Sequence, residues 1–100
     1  MIRWERTLQV KSTKVAPAIE YAKQVAEFCK KYKSLPPVRV YYDNFGVGPN
    51  IRWIVEYEDL AALEKAHIEV LADLGYHKAI QEVEDLFIMG TQEDVVLREI

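Results

Sequence analysis

The sequence predicts an α+β fold, a four-stranded antiparallel sheet carrying its helices on one face, and three observations predict it. Along Asn50 to His67 alternating apolar residues give way at Asp59 to a spacing of three and four, which is a strand running straight into a helix. Just before it, two alternating segments flank Gly46-Val-Gly-Pro-Asn50, the turn-former composition of a β-hairpin. Finally, each helical stretch is apolar along one stripe only, so each needs a surface to lie on, and a sheet is that surface.

Taken in order, Ile2 to Lys11 alternates, with Ile2, Trp4, Leu8 and Val10 on one face and Arg3, Glu5, Thr7 and Gln9 on the other. Only Arg6 breaks the apolar side. Ser12 and Thr13 offer capping hydroxyls, and Pro17 suits a first helical turn, where its missing N–H has no partner to lose. The stripe Ile19, Ala22, Val25, Ala26, Cys29 and Tyr32 carries a helix to about Lys33, and Lys30, Lys31 and Lys33 complement the negative end of its dipole. Leu35-Pro36-Pro37 stops it, because neither proline donates a backbone hydrogen bond.

Val38 to Phe45 is the second strand, and the hairpin loop joins it to the third. Glycines in that loop do not make a phosphate cradle, since such a loop opens a helix and this one opens a strand. After Asp59, an expected N-cap, the stripe is Leu60, Leu63, His67, Val70, Leu71 and Leu74, closed by Gly75 as a left-handed C′ residue. A shorter helix runs from Tyr76 to Phe87 with Ala79, Ile80, Val83, Leu86 and Phe87 as its apolar side, and Gly90-Thr91-Gln92 ends it. Glu93 to Ile100 is the last strand, with Val95 and Leu97 on the face toward the helices and Val96, Arg98 and Ile100 on the other. The order β-α-β-β-α-α-β over residues 1–100 is a single ferredoxin-like domain.

Half of the 100 residues are apolar and 29% are charged, which is a globular composition, and a chain this small gains from dimerising. A net charge of −3 with scattered Lys and Arg argues against nucleic-acid and anionic-membrane partners. One cysteine, Cys29, excludes an internal disulfide framework; it lies on an apolar stripe and is read as core rather than nucleophile. With no signal-peptide or transmembrane run, the expected location is the cytoplasm.

If Trp4, Val40, Trp53, Val55 and Leu97 face the helices, the open face of the sheet carries Arg3, Glu5, Arg39, Tyr41, Asp43, Arg52, Ile54, Glu56, Val96 and Arg98. That mixture suits a partner sheet. The passage Trp53-Ile-Val-Glu-Tyr-Glu-Asp-Leu-Ala-Ala-Leu-Glu-Lys65, followed by Leu71-Ala-Asp-Leu-Gly-Tyr76, resembles the dimeric α+β barrel superfamily, in particular its NIPSNAP-like and antibiotic-biosynthesis-monooxygenase-like branches. There, an "L-x-D-P-x-W" step introduces the next helix; here its Pro and Trp are replaced. The resemblance implies a homodimer packed through the open sheet faces, with a helix–sheet cleft in each subunit. Cofactor-free oxygenation of aromatic polyketides and haem degradation both occur in such clefts. Haem binding is not carried over, because the residue four after Tyr76 is Ile80 rather than His and the first strand has no Asn.

His67 sits inside its apolar stripe and is the candidate catalytic residue, an imidazole acid/base lining the cleft, with a packed core histidine as the alternative. Trp4, Tyr41, Trp53 and His77 are candidate ligand contacts, the aromatics as walls for a planar molecule and His77 at the cleft rim. Arg39 and Arg52, with Arg98, are placed to receive an acidic ligand, although Glu5, Asp43 and Glu56 can neutralise them as cross-strand ion pairs. His67 and His77 lie on different elements with no acidic residue spaced to both, so no metal is expected, and no cofactor. Two functions compete. One is a dimer that binds, and as a cofactor-independent monooxygenase-like enzyme oxidises, a small hydrophobic or aromatic molecule; the other is a non-catalytic dimeric interaction or regulatory module. An open cleft reaching His67 favours the first, a filled one the second. Single-stranded RNA binding lacks its Lys/Arg-Gly-aromatic signature in Asn50 to Tyr57.

Overall fold

The computed structural model describes residues 1–81 and 84–100; Val83, expected on the apolar side of the last helix, lies outside them. Strands β1 (Ile2–Gln9), β2 (Arg39–Asp43), β3 (Asn50–Tyr57) and β4 (Glu93–Arg98) form one antiparallel sheet in the order β2-β3-β1-β4. Helices α1 (Val15–Phe28), α2 (Leu60–Leu71) and α3 (Leu74–Gln81) complete the expected ferredoxin-like order. Among the described residues no helix is long and apolar enough to cross a membrane.

The central pair β1–β3 carries the core. Ile2 lies opposite Tyr57, Trp4 opposite Val55, Arg6 opposite Trp53 and Leu8 opposite Ile51, so these eight share the helix-facing side. Two apolar clusters sit on it: Val10, Ile51, Trp53 and Phe87 with Ala18 and Ala22 of α1, and Ile2, Val55 and Tyr57 with Ala66 of α2. Alanines at the contacts bring both helices close to the sheet. A 3₁₀ turn, Cys29–Lys31, extends α1, and Tyr32 then turns extended ahead of the proline pair.

Four expectations are corrected. In β4, Leu97 pairs with Arg3 on the open face, while Val96 and Arg98 pair with Trp4 and Ile2 on the helix side. Val95, Val96 and Leu97 are all aliphatic and this edge strand is exposed throughout, so burial does not select a phase; pairing with β1 does. At the start of α1, neither Ser12 nor Thr13 caps; Lys14 holds the N-cap position without a side-chain bond, its own N–H donating to Lys11 O across a turn.

Asp59 does cap α2, its Oδ1 accepting from Ala62 N–H at 2.8 Å. That helix, however, ends at Ala72, not Gly75. Asp73 opens α3 instead: its Oδ1 accepts from Gly75 N–H (2.9 Å), while its Oδ2 takes Tyr32 Oη–H (2.7 Å) and Lys31 Nζ (2.6 Å) from the end of α1. A side chain that offers the backbone a local acceptor interrupts a helix, and Gly75 has no positive φ to make it a C′ residue. In consequence the stripe does not hold together: Ala66 is the buried residue of α2, and Leu71 (57%) and Leu74 (82%) stay exposed.

Candidate functional site

Between the sheet and the helices lies a cleft of about 420 Å³. Trp4 and Arg6 of β1 and Trp53, Val55 and Tyr57 of β3 form its floor. Tyr21, Val25 and Cys29 of α1 and Ala66, His67 and Val70 of α2 wall it. Tyr76, His77 and Ile80 of α3, with Met89, line its far side together with other residues. Its volume falls within the range of small-molecule pockets, and its lining has their composition, mostly apolar and aromatic with few polar groups.

Four of the expected site residues meet here. His67 meets Trp4 edge to face, ring centroids 5.5 Å apart at 81°. Its Nδ1 lies 3.1 Å from Leu63 O; a carbonyl only accepts, so Nδ1–H donates, which selects the tautomer whose free nitrogen is Nε2. Trp53 is buried beside them, and its Nε1–H has no hydrogen-bond partner among the described residues. Exposed His77 stands at the mouth, Nε2–H donating to Leu71 O at 2.9 Å, a bond that folds α3 back on the end of α2.

The other three lie elsewhere. Arg39, Tyr41 and Arg52 are on the open face, across the sheet from the cleft. Arg52 is held between Asp43 (3.5 Å) and Glu5 (3.9 Å), and Arg3 binds Glu56 at 2.7 Å, so cross-strand ion pairs occupy this face as the acidic neighbours suggested. Arg98 does not join Arg39 and Arg52, because β4 turns it to the opposite side.

Arg6, Tyr57, Tyr76 and Asp94 were not among the expected site residues. For Arg6 the signal was there, as the single charge on the apolar side of its strand. Its Nε donates to Asp94 Oδ1 (2.8 Å), Nη2 to Oδ2 (2.9 Å) and Nη1 to Tyr76 Oη (3.4 Å), and Cζ stands 5.2 Å from the centroid of the Trp4 ring. Burial opposes the guanidinium charge, but the bonds to Asp94 and the neighbouring Tyr76 outweigh it and raise its pKa. Burial also pushes Tyr21 and Tyr57 up to about 12 and raises Tyr76 and the Cys29 thiol, so these groups are neutral and Cys29 is no nucleophile. Chemically the cleft offers an aromatic slot, an imidazole oriented by Leu63 O, and the guanidinium of Arg6.

A sheet of this strand order with its helices on one face and an aromatic cleft between the layers defines a ferredoxin-like α+β protein with room for a small ligand. The NIPSNAP family model matches residues 4–99, and the chain belongs to that family, as the Trp53 to Lys65 passage implied. In solved structures the fold is similar to a NIPSNAP family protein with unknown function from Agrobacterium tumefaciens (16% identity, 97% of this chain and 86% of that chain, TM-score 0.78). It is similar also to an uncharacterised NIPSNAP-like domain protein from Burkholderia xenovorans (13% identity, 99% and 84%, TM-score 0.79) and to an antibiotic biosynthesis monooxygenase (13%, 100% and 99%, TM-score 0.72). At these identities the likeness is one of fold. No protein of curated function matches the chain in sequence.

Proposed function

We propose that the chain works as a cytoplasmic homodimer whose helix–sheet cleft binds a small aromatic or hydrophobic molecule. The observation that carries this reading is the cleft itself: about 420 Å³ walled by Trp4, Trp53, Tyr57 and His67, where a non-catalytic module would be packed solid. Dimerisation is supported by the open face, where Val95, Leu97 and Ile54 alternate with the ion pairs of Arg3 and Arg52, a mixture that suits burial against a second copy. The free, buried Cys29 fits a reducing compartment.

A second reading, cofactor-independent oxygenation, rests on His67. Its Nε2 is the acceptor of a ring whose other nitrogen is fixed, which is what a general base for a phenolic ligand needs, and one fold neighbour is an antibiotic biosynthesis monooxygenase. The binding reading comes first because it requires the cleft alone.

Sedimentation at micromolar concentration tests the assembly, with a particle of twice 11.6 kDa expected. Calorimetric titration with the uncharged arene 2-naphthamide tests the cleft. Saturable binding is expected, and Val70→Phe, which puts a ring into the space beside His67, should abolish it. Equal binding by Val70→Phe, or none by the wild type, would refute the cleft.

A further inference from the structure

The guanidinium of Arg6 is the one place where the apolar alternation of β1 fails, and it is spent inside the cleft rather than in water. We propose that Arg6 is an anion receptor: the guest of the cleft is an aromatic or hydrophobic carboxylic acid, and Asp94 occupies the carboxylate's place until that guest arrives. The inference rests on the reading of the cleft as a small-molecule site.

Geometry supports it at both ends of the pair. A guanidinium has five N–H donors in a planar fork matched to carboxylates. Asp94 uses one each from Nε and Nη2, and Tyr76 Oη is only a distant acceptor for Nη1 at 3.4 Å, so the Nη1–Nη2 edge keeps donors unspent. Trp4 lies against the same group, placing an aromatic surface beside the charge, as an aryl acid requires. Trp53, the residue opposite Arg6 on β3, carries a buried indole N–H that has no acceptor among the described residues.

Asp94 in turn is placed to leave. It belongs to edge strand β4, which is exposed along its length, and its side chain is 37% exposed against 22% for Arg6. Turning out into water therefore costs Asp94 little, whereas Arg6 stays under α3. Exchanging one carboxylate for another leaves the charge next to Arg6 unchanged, so the half-buried cation is never left unpaired. Burial raises the pKa of Tyr21, Tyr57, Tyr76 and Cys29 in the wall, so these four stay uncharged and add no rival to Asp94 for the guanidinium.

The test compares 2-naphthoate with uncharged 2-naphthamide by calorimetric titration at pH 7. Wild type should prefer the acid by roughly tenfold or more, the worth of a charge-assisted hydrogen bond. Arg6→Met should erase that preference while the amide still binds, and amide binding also shows that the variant's cleft is folded. Asp94→Asn, which keeps an acceptor for Nε but removes the rival charge, should tighten the acid about threefold or more and leave the amide alone. The proposal is overturned if Arg6→Met weakens both probes equally, or if Asp94→Asn leaves the acid's affinity where it was. Binding of the amide with no preference for the acid overturns the anion receptor alone. Failure of both probes on the wild type overturns the cleft as well.

Discussion

Removing either member of the Arg6–Asp94 pair should not cost the same, and the inequality follows from where each side chain sits. Asp94→Ala leaves Arg6, 22% exposed and among the described residues bonded otherwise only to Tyr76 Oη at 3.4 Å, against the apolar floor of the cleft. Breaking a fully buried pair costs about 3–5 kcal/mol and an exposed one about 0.2–1. Partial exposure puts Asp94→Ala between them, at about 2 kcal/mol. Arg6→Met strands Asp94 instead, but an aspartate on an uncovered edge strand turns to water, and the methionine keeps much of the apolar stem packed against Trp4. Its cost is therefore about 0–1 kcal/mol. The double variant, having no stranded cation, should be more stable than Asp94→Ala by about 1 kcal/mol or more. Urea unfolding followed by far-UV circular dichroism reads this, with all four proteins at one concentration because the midpoint of the proposed dimer would depend on it. An Arg6→Met variant as unstable as Asp94→Ala, or a double variant no better than the worse single one, would show that Arg6 is not held in the cleft by Asp94.

Three further outcomes are expected. Asp59→Ala leaves Ala62 N–H without its acceptor and should cost about 1 kcal/mol, seen calorimetrically as a Tm lowered by about 4–8 °C. Asp73 has its pKa lowered from 3.8 to about 2, first by Lys31 and then by Tyr32 and Gly75 N–H, so the stability it contributes is complete above its ordinary pKa. That contribution should fade as pH falls from about 4 toward 2, and Asp73→Asn should flatten the stability profile in this window. Leu97→Lys places a charge on the open face beside Arg3 and should convert the proposed dimer to a monomer in sedimentation, leaving the far-UV spectrum unchanged; a dimer that survives argues for assembly through another surface.

Elements with one strong period were readable from the residues, and those whose faces are chemically alike were not. In β3, Ile51, Trp53, Val55 and Tyr57 alternate with Arg52, Ile54 and Glu56, so only one phase buries the aromatics, and the structure adopts it. In β4 three aliphatics run together, and the phase comes from hydrogen bonding to a strand some ninety residues away, which no local pattern encodes. The α2–α3 junction was misplaced because Gly75 is a common helix stop, while the acceptor that interrupts the helix, Asp73, is fixed by Lys31 and Tyr32 from a distant turn. Within the cleft, Trp4, Trp53 and His67 announce themselves by residue type. Tyr76 and Asp94 become site residues only when the sheet and α3 bring them to Arg6.

The misplaced junction and the cleft have one cause. Had α2 continued to Leu74 as its stripe suggests, Leu71 and Leu74 would lie against the sheet and fill the space beneath them. Asp73 caps a new helix instead, and its bonds to Lys31 and Tyr32 anchor that turn to the end of α1. Ala66 remains buried against Ile2, Val55 and Tyr57, while Leu71 borders the cleft half exposed and Leu74 points to solvent. What α3 then offers the floor is Tyr76, whose hydroxyl meets Arg6, in place of an aliphatic plug. The cleft is thus open because a carboxylate interrupts an apolar helix one turn early. The exposed leucines at that break accompany a cleft that Arg6 and His67 still line.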